Sequence, residues 1–515
     1  MQSSAGPQEG PGPAAPGERL SFSRVLGALL LGVLAYRALA PFLLAWDLLS
    51  YPLDFFADES FWLVLVRRLA AGATLYNDSS QFPLLGNVYP PLYFWLMWIL
   101  TRLTGLDILA LRLWALAPFL GCMVLVGLYL RRKGAARPIL WGSVLLLPAC
   151  YTWSWCFIQP RCDPWLAFFA FAGLYVLSAT EVSRARAVTG GVLNAAALFC
   201  KQTGLFGLGA VHLHLLFTNR RAGLWAAFAA VGACVALLAL GLAQFGTQML
   251  HSMLALTVRR EFDPERFQTI ILPVLGANAP LIALTVGRLI VHLVRRQWDL
   301  LDSYLLGHAI PGIFMLCDGA YVNYVLALAP GMCVAAGLSL DELRRSHSQD
   351  RAFWPLVAAG VLFQVILTTA CAGSLRPPEG AHLQEARRAA QFLSQARGPV
   401  YAERLWLPVG ERPEFLTDYV EPTHLRALSE PQRARSAVEA ALASRRFERV
   451  LIYRHSLHWP GFPEEVERHY RLVGSGEILT AYGPAEILYF VRPSPPGAAP
   501  AGPSESVERK PPPPL

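Results

Sequence analysis

Apolar runs of about twenty residues recur through most of this chain, and no other feature constrains its fold as strongly. Segments 22–44, 109–130 and 222–245 carry at most two charges each. A helix of that length spans a hydrocarbon core of roughly 30 Å and satisfies its own backbone hydrogen bonds on the way. With 54% hydrophobic and 16% charged residues over 515 positions, a soluble fold has too little polar side chain to clothe its surface. The spacing predicts an all-α polytopic membrane protein.

Arginine supplies the orientation. Clusters at Arg131-Arg132-Lys133 with Arg137, Arg184 with Arg186, Arg220-Arg221, Arg295-Arg296 and Arg344-Arg345 punctuate the apolar runs. Placing every cluster in the cytoplasm demands an even number of crossings between each pair. That yields about eleven spans, roughly 22–44, 109–130, 138–157, 164–182, 187–200, 203–218, 222–245, 271–294, 300–316, 320–338 and 353–374. The N-terminus then lies inside and the C-terminal region outside. The net charge of +8 is dispersed among these clusters instead of forming one patch, which argues against nucleic acid as a partner. The heavy excess of Arg over the three lysines (Lys133, Lys201, Lys510) points to a GC-rich bacterial genome and so to a bacterial inner membrane.

Two stretches fit no span. Residues 88–104 (NVYPPLYFWLMWILTRL) would put Arg131-Arg132-Lys133 on the wrong side if they crossed, and their aromatic, Pro-Pro start suits an interfacial helix. Residues 58–72 (DESFWLVLVRRLAAG) read as a second interfacial helix with its acids at the positive end. The first outer loop, 45–108, thus carries two surface helices. Residues 1–20 are rich in Pro, Gly and Ala and are expected to be disordered, with an uncleaved signal anchor following them. The membrane domain is expected over 21–375. After it, helical periodicity at 383–396 and 430–446 and strand patterns at 449–454 and 486–492 predict a small extracytoplasmic α/β domain over 376–493. A Pro-rich, disordered tail is expected over 494–515. All nine cysteines fall in or beside apolar runs, so buried thiols are expected; Cys156 and Cys162 are the one pair placed to form a disulfide.

On this topology the chemically capable residues gather at the outer face. Asp58 and Glu59 suit a base that takes a proton from an acceptor, and they suit equally a helix cap. Asp163 follows Arg161 in QPRCDP, as a second reacting acid or as half of an interfacial ion pair. Lys201 is the one lysine among membrane spans, where an ammonium is costly unless it meets an anion such as a lipid phosphate, or snorkels to the interface. Arg259 and Arg260 are further phosphate candidates, or ordinary charges of a charged loop. His308, Asp318, Asn323 and Tyr324 lie near spans nine and ten, where Asn323 can bond a sugar hydroxyl or tie two helices. No cluster has metal-ligand spacing, and no Gly-rich phosphate loop follows a strand.

The ordered segments DESFWLVLVRRLAAGATLY, NVYPPLYFWL, QPRCDP, LFCKQTGL and GAYVNYVLALAP resemble the GT-C glycosyltransferases, nearest to the bacterial branch of protein O-mannosyltransferases and lipid A aminoarabinose transferases. The resemblance covers about residues 20–375, and more loosely the C-terminal domain. It implies transfer, with inversion, of a sugar from a polyprenyl-phosphate donor to a lipid, glycan or protein acceptor at the outer face. By the same resemblance Asp58 matches the catalytic loop-one acid, Glu59 its partner and Asp163 the second outer acid. Lys201, with Arg161, Arg259 and Arg260, is assigned to donor phosphate, and Tyr89, Pro90, His308, Asn323 and Tyr324 to the substrate cavity. Tyr-Pro-Pro stands here where relatives commonly have His-Pro-Pro. No metal is assigned as a cofactor, although a divalent cation bridging Asp58 and the phosphate is compatible with the pattern. The competing reading is a transporter or lipid flippase, which calls for midplane sites and related halves; neither is visible. A catalytically dead scaffold is the third.

Overall fold

The computed structural model describes residues 16–49, 51, 55, 59–76, 87–150, 156, 158–258, 262–317, 321–346, 353–371, 379–402, 431–455, 461–480 and 483–493. Asp58, Arg259, Arg260, Asp318 and the expected disorder of 1–15 and 494–515 lie outside them.

Helices dominate. In chain order they are α1 (Pro16–Leu49), α2 (Glu59–Ala70), α3 (Leu92–Thr104), α4 (Ile108–Arg132), α5 (Arg137–Ala149), α6 (Cys162–Leu177), α7 (Arg184–Cys200), α8 (Gly204–Thr218), α9 (Arg220–Phe245) and α10 (Gln248–Val258). A π-turn (Phe267–Ile271) leads into α11 (Leu272–Ala277) and α12 (Ala279–Val294). Then come α13 (Leu300–Ala309), 3₁₀ turns at Ile310–Leu316 and Val322–Val325, α14 (Leu328–Ser346) and α15 (Phe353–Cys371). The apolar helical segments fall on the runs read from the sequence. Val25–Leu49, Ile108–Arg132 and Arg220–Phe245, of 25, 25 and 26 residues, are long and apolar enough to cross a membrane unaided. α1 reaches back to Pro16, so residues 16–20 are helical where disorder was expected; proline preorganises a first helical turn, and Glu18, Arg19 and Leu20 extend it.

Local chemistry sets the ends. Asp107, Ser183 and Asn219 cap α4, α7 and α9 by accepting from the backbone N–H groups of Ala110, Arg186 and Ala222. The eighth span is broken, its halves bent by 77° around Asn278. The freed backbone groups find partners on α15. Gln364 donates to the Ala277 carbonyl at 2.5 Å, Thr368 donates to the same oxygen at 3.1 Å, and the Gln364 amide oxygen accepts from Leu281 N–H. A break at membrane depth needs that kind of compensation.

The Arg clusters share one end of the bundle. Arg345 donates to the Gly134 carbonyl, Asp341 accepts from Ala136 N–H, Arg295 pairs with Glu342 at 3.1 Å, and Arg132 reaches the Tyr175 carbonyl at the end of α6. From that end α4 runs back about 37 Å to Asp107, where the first loop folds over the bundle. There α2 and α3 pack through Trp62, whose ring lies 5.0 and 5.6 Å from those of Tyr93 and Phe94.

Beyond α15 the chain forms α16 (Gly380–Ser394), β1 (Val400–Ala402), α17 (Pro431–Ala443), β2 (Arg449–Tyr453), α18 (Phe462–His469), β3 (Arg471–Thr480) and β4 (Gly483–Val491). The sheet order is β1-β2-β4-β3, with β1 parallel to β2 and the other pairs antiparallel. β1, α18 and β3 are additions to the elements read from the sequence. β3 hides behind Gly474 and Gly476, and its register slips between Leu472 and Gly474, which breaks the alternation a strand normally shows. No disulfide joins the cysteines among the described side chains, Cys156 and Cys162 included.

Candidate active site

Two buried ion pairs define the end of the bundle opposite the arginine clusters. In the first, Arg112, one turn into α4, grips Glu59, the first residue of α2. Nε and Nη2 donate to the two carboxylate oxygens at 2.7 Å each, and both side chains are fully buried. Nη1 donates to the carbonyls of Leu48 and Tyr51, at 2.5 and 2.7 Å, and Glu59 also accepts from Phe55 N–H at 2.7 Å. A charge at this depth survives only when its partners are this complete. Both Glu59 oxygens are engaged in this knot, which ties the start of α2 to α4. Arg112 went unnoticed in the sequence because it sits in an apolar run (ILALRLWALAP); an arginine in such a run is itself the signal.

The second pair joins Asp163, in the first turn of α6, to Lys201, which ends α7. Nζ lies 2.6 Å from Oδ1, with side-chain exposures of 2% for Lys201 and 5% for Asp163. Each charge sits at the helix terminus whose dipole favours it. Asp163 therefore pairs with Lys201 and not with its sequence neighbour Arg161. The ammonium is also 4.0 Å from the Tyr324 ring centre and 5.8 Å from that of Tyr89. An ammonium has three N–H donors, and only Asp163 accepts one from Lys201 among the described residues. This pair, unlike the first, is open.

Loop one forms the roof. The Tyr89 ring stacks at 4.9 Å on Trp62, and its carbonyl accepts from the Tyr76 hydroxyl at 2.7 Å. Burial pushes the Tyr76 phenol well above its usual range, outweighing the opposing hydrogen bond to Asn87, so it stays a donor. Gln202, next to Lys201, donates to the Val88 carbonyl at 2.5 Å, and Tyr93 donates to the Pro160 carbonyl at 2.6 Å, just before Arg161. Pro90 is buried beneath this loop. Asn323, beside Tyr324, is 8% exposed, and its amide oxygen meets no donor among the described residues.

His308 is set apart. Its ring packs at 4.4 Å on Tyr304 and fills the space a side chain on Gly207 would need, between α13 and α8; no contact among the described residues joins it to Lys201.

Among the described residues at this end, Asp163 already holds the Lys201 ammonium through Oδ1. His292, Asp299 and Asp302 do bring their ligand atoms within 4.8 Å of one another, at the arginine-rich end. Arg288 bridges the two carboxylates there at 2.6 and 3.2 Å, and His292 takes the other oxygen of Asp302 at 2.6 Å, so a cation is already in place.

A bent-helix bundle roofed by a two-helix first loop, with an α/β domain beyond, is a fold this chain shares with solved structures. In solved structures the chain is similar to ArnT from Cupriavidus metallidurans, in the apo state and bound to undecaprenyl phosphate. In each case the TM-score is 0.58 at 15% identity, over 92% of this chain and 98% of that one. It is also similar to the Archaeoglobus fulgidus oligosaccharyltransferase, with a TM-score of 0.54 at 12% identity, over 87% and 73%. No protein-family model matches the chain. No curated protein sequence matches it.

Proposed function

We propose that this chain is a membrane glycosyltransferase that moves a sugar from a polyprenyl-phosphate donor to an acceptor outside the bilayer, with inversion at the anomeric carbon. The observation that carries the proposal is the open Asp163–Lys201 pair beneath the loop-one roof, one peptide link along the chain from the Gln202 that ties roof to bundle. The similar ArnT structure bound to undecaprenyl phosphate supports a lipid-phosphate donor. The Glu59–Arg112 and Asp163–Lys201 pairs both lie at one end of the bundle, which favours a transferase over a transporter, whose substrate sites sit near midplane.

In this mechanism Asp58 accepts the proton of the acceptor hydroxyl as its oxygen attacks the anomeric carbon. The bond from that carbon to the phosphate oxygen breaks, and polyprenyl phosphate leaves with the electron pair. Lys201, held by Asp163 and faced by Tyr324, directs its remaining N–H groups at the departing phosphate, where a fixed cation is worth most. Arg161, at the start of α6, and Arg259 with Arg260 are the further cations proposed for the same phosphate. The Asn323 amide oxygen accepts from a donor hydroxyl, and Tyr89 and Tyr324 flank the sugar. No step is routed through a metal, given the donor set.

The test is transfer from labelled polyprenyl-phosphate sugars in proteoliposomes. Asp58→Asn is expected to remain folded and to abolish transfer. Near-normal turnover by that variant would remove Asp58 from the mechanism, and failure of the wild type with every lipid-linked sugar would remove the reaction.

A further inference from the structure

Five helices close a ring around a cavity that no candidate catalytic residue touches. α1 packs on α5 and α15, α5 on α14, α14 on α12, and α12 on α15. The space, half open to the outside of the bundle, is about 670 Å³, within the roughly 300–1,000 Å³ of a small-ligand pocket. Leu30, Leu34, Ile139 and Leu281 line it and are themselves buried.

Three helical glycines, Gly27, Gly142 and Gly360, keep the space open. A Cβ built on Gly27 or Gly360 meets nothing within 4 Å, and one on Gly142 meets only Leu31 at an ordinary 3.9 Å. None of the three needs a positive φ, and none brings two backbones close. Glycine inside a helix is destabilising relative to alanine, so these positions hold a cost that packing does not explain. An unfilled apolar cavity adds a second cost, since its walls lose dispersion contacts. Ser143 also lines it and is 5% exposed. Something from outside the chain fills this space.

The rim says what. Pro138 and Leu343 line the cavity at the arginine-rich end, next in sequence to Arg137 and Arg344. Arg137 is exposed, with no ion pair among the described residues. Arg344 and Arg345 share the single carboxylate of Asp341, and Glu342 is taken by Arg295. Arg131 and Lys133 add to the excess. An apolar slot with a cationic mouth at the membrane surface complements an acyl chain bearing an anionic headgroup.

We propose that this cavity holds one acyl chain of an anionic glycerophospholipid from the leaflet at the arginine-rich end, with its phosphate at Arg137. The inference stands independently of the transferase reading. Lipid extracted from the full-length protein purified in mild detergent is quantified by mass spectrometry. About one phosphatidylglycerol-class lipid per chain is expected, enriched over phosphatidylethanolamine. Arg137→Gln is expected to weaken that enrichment about fivefold, and Gly360→Leu to abolish retention by filling the slot. A melting temperature raised by phosphatidylglycerol over pure phosphatidylcholine vesicles in the wild type, with the rise lost in Arg137→Gln, supports the site even if Gly360→Leu does not fold. Equal retention of neutral lipid, retention undiminished in both variants, or recovery of a polyprenyl phosphate in place of the phospholipid would each overturn it.

Discussion

Arg112 and Lys201 are both cations buried among apolar helices, yet their surroundings assign them opposite jobs. Arg112 spends its donors on Glu59 and two carbonyls, so the knot is closed. Removing one partner of such a pair strands the other, at about 3–5 kcal/mol. Arg112→Met should therefore lower the melting temperature sharply in detergent, and an unchanged melt would show that the knot is ornamental. Lys201 is held by one short bond and an aromatic face, and its loss should be read in rate. Lys201→Met is expected to reduce kcat and kcat/KM together by about 10²–10³, as removal of a contact made in the transition state does. Lys201→Arg should restore part of the rate by keeping the charge. A rise in KM alone would recast Lys201 as a ground-state contact. Asp163 and Lys201 were each legible in the sequence as costly charges, but their partnership was not. They lie 38 positions apart, and Arg161 was the nearer cation on paper.

The helices were legible because two independent signals coincide: apolar runs fix their lengths, and arginine clusters fix where they stop. α14 shows how such an end is secured. Past its apolar part, Asp341 accepts from Ala136 N–H and from the guanidinium groups of Arg344 and Arg345. Burial alone would raise its pKa. The Ala136 backbone bond and the two arginines outweigh burial and hold the carboxyl below the ordinary value. A carboxyl depressed in the folded state stabilises the fold above its unfolded pKa of about 3.9, and that stability fades as pH falls further toward the folded value. Asp341→Asn should thus cost about 1.5–3 kcal/mol at neutral pH and flatten the loss of stability below about pH 4. Melts of the two proteins from pH 7 down to pH 3 check this, and parallel curves would reject it. The break at Asn278 was not legible, since its compensation by Gln364 and Thr368 comes from a helix some ninety residues later. β3 was hidden for a different reason, two glycines and a bulge that erase the period-two pattern.

At the scale of the molecule, a buried hydrogen bond ties the α/β domain to the first loop. The Tyr51 hydroxyl donates to the Leu479 carbonyl, near the end of β3, at 2.9 Å and buried. The Tyr51 carbonyl in turn accepts from Arg112, and Arg112 holds Glu59, the chain neighbour of Asp58. Sequence reading placed the domain on the outer side but gave it no connection to the site, because a side-chain bond spanning 428 positions leaves no local trace. If the linkage carries force, Tyr51→Phe should remove about 1 kcal/mol of docking energy while the membrane bundle melts almost as before. Amide exchange should then quicken in α2 (Glu59–Ala70), and transfer should slow as the acid's loop loses its fixed position. Hydrogen-exchange mass spectrometry separates this from simple loosening of the domain. Faster exchange confined to β3 and β4, with α2 unchanged, would mean that the domain merely rests on the bundle.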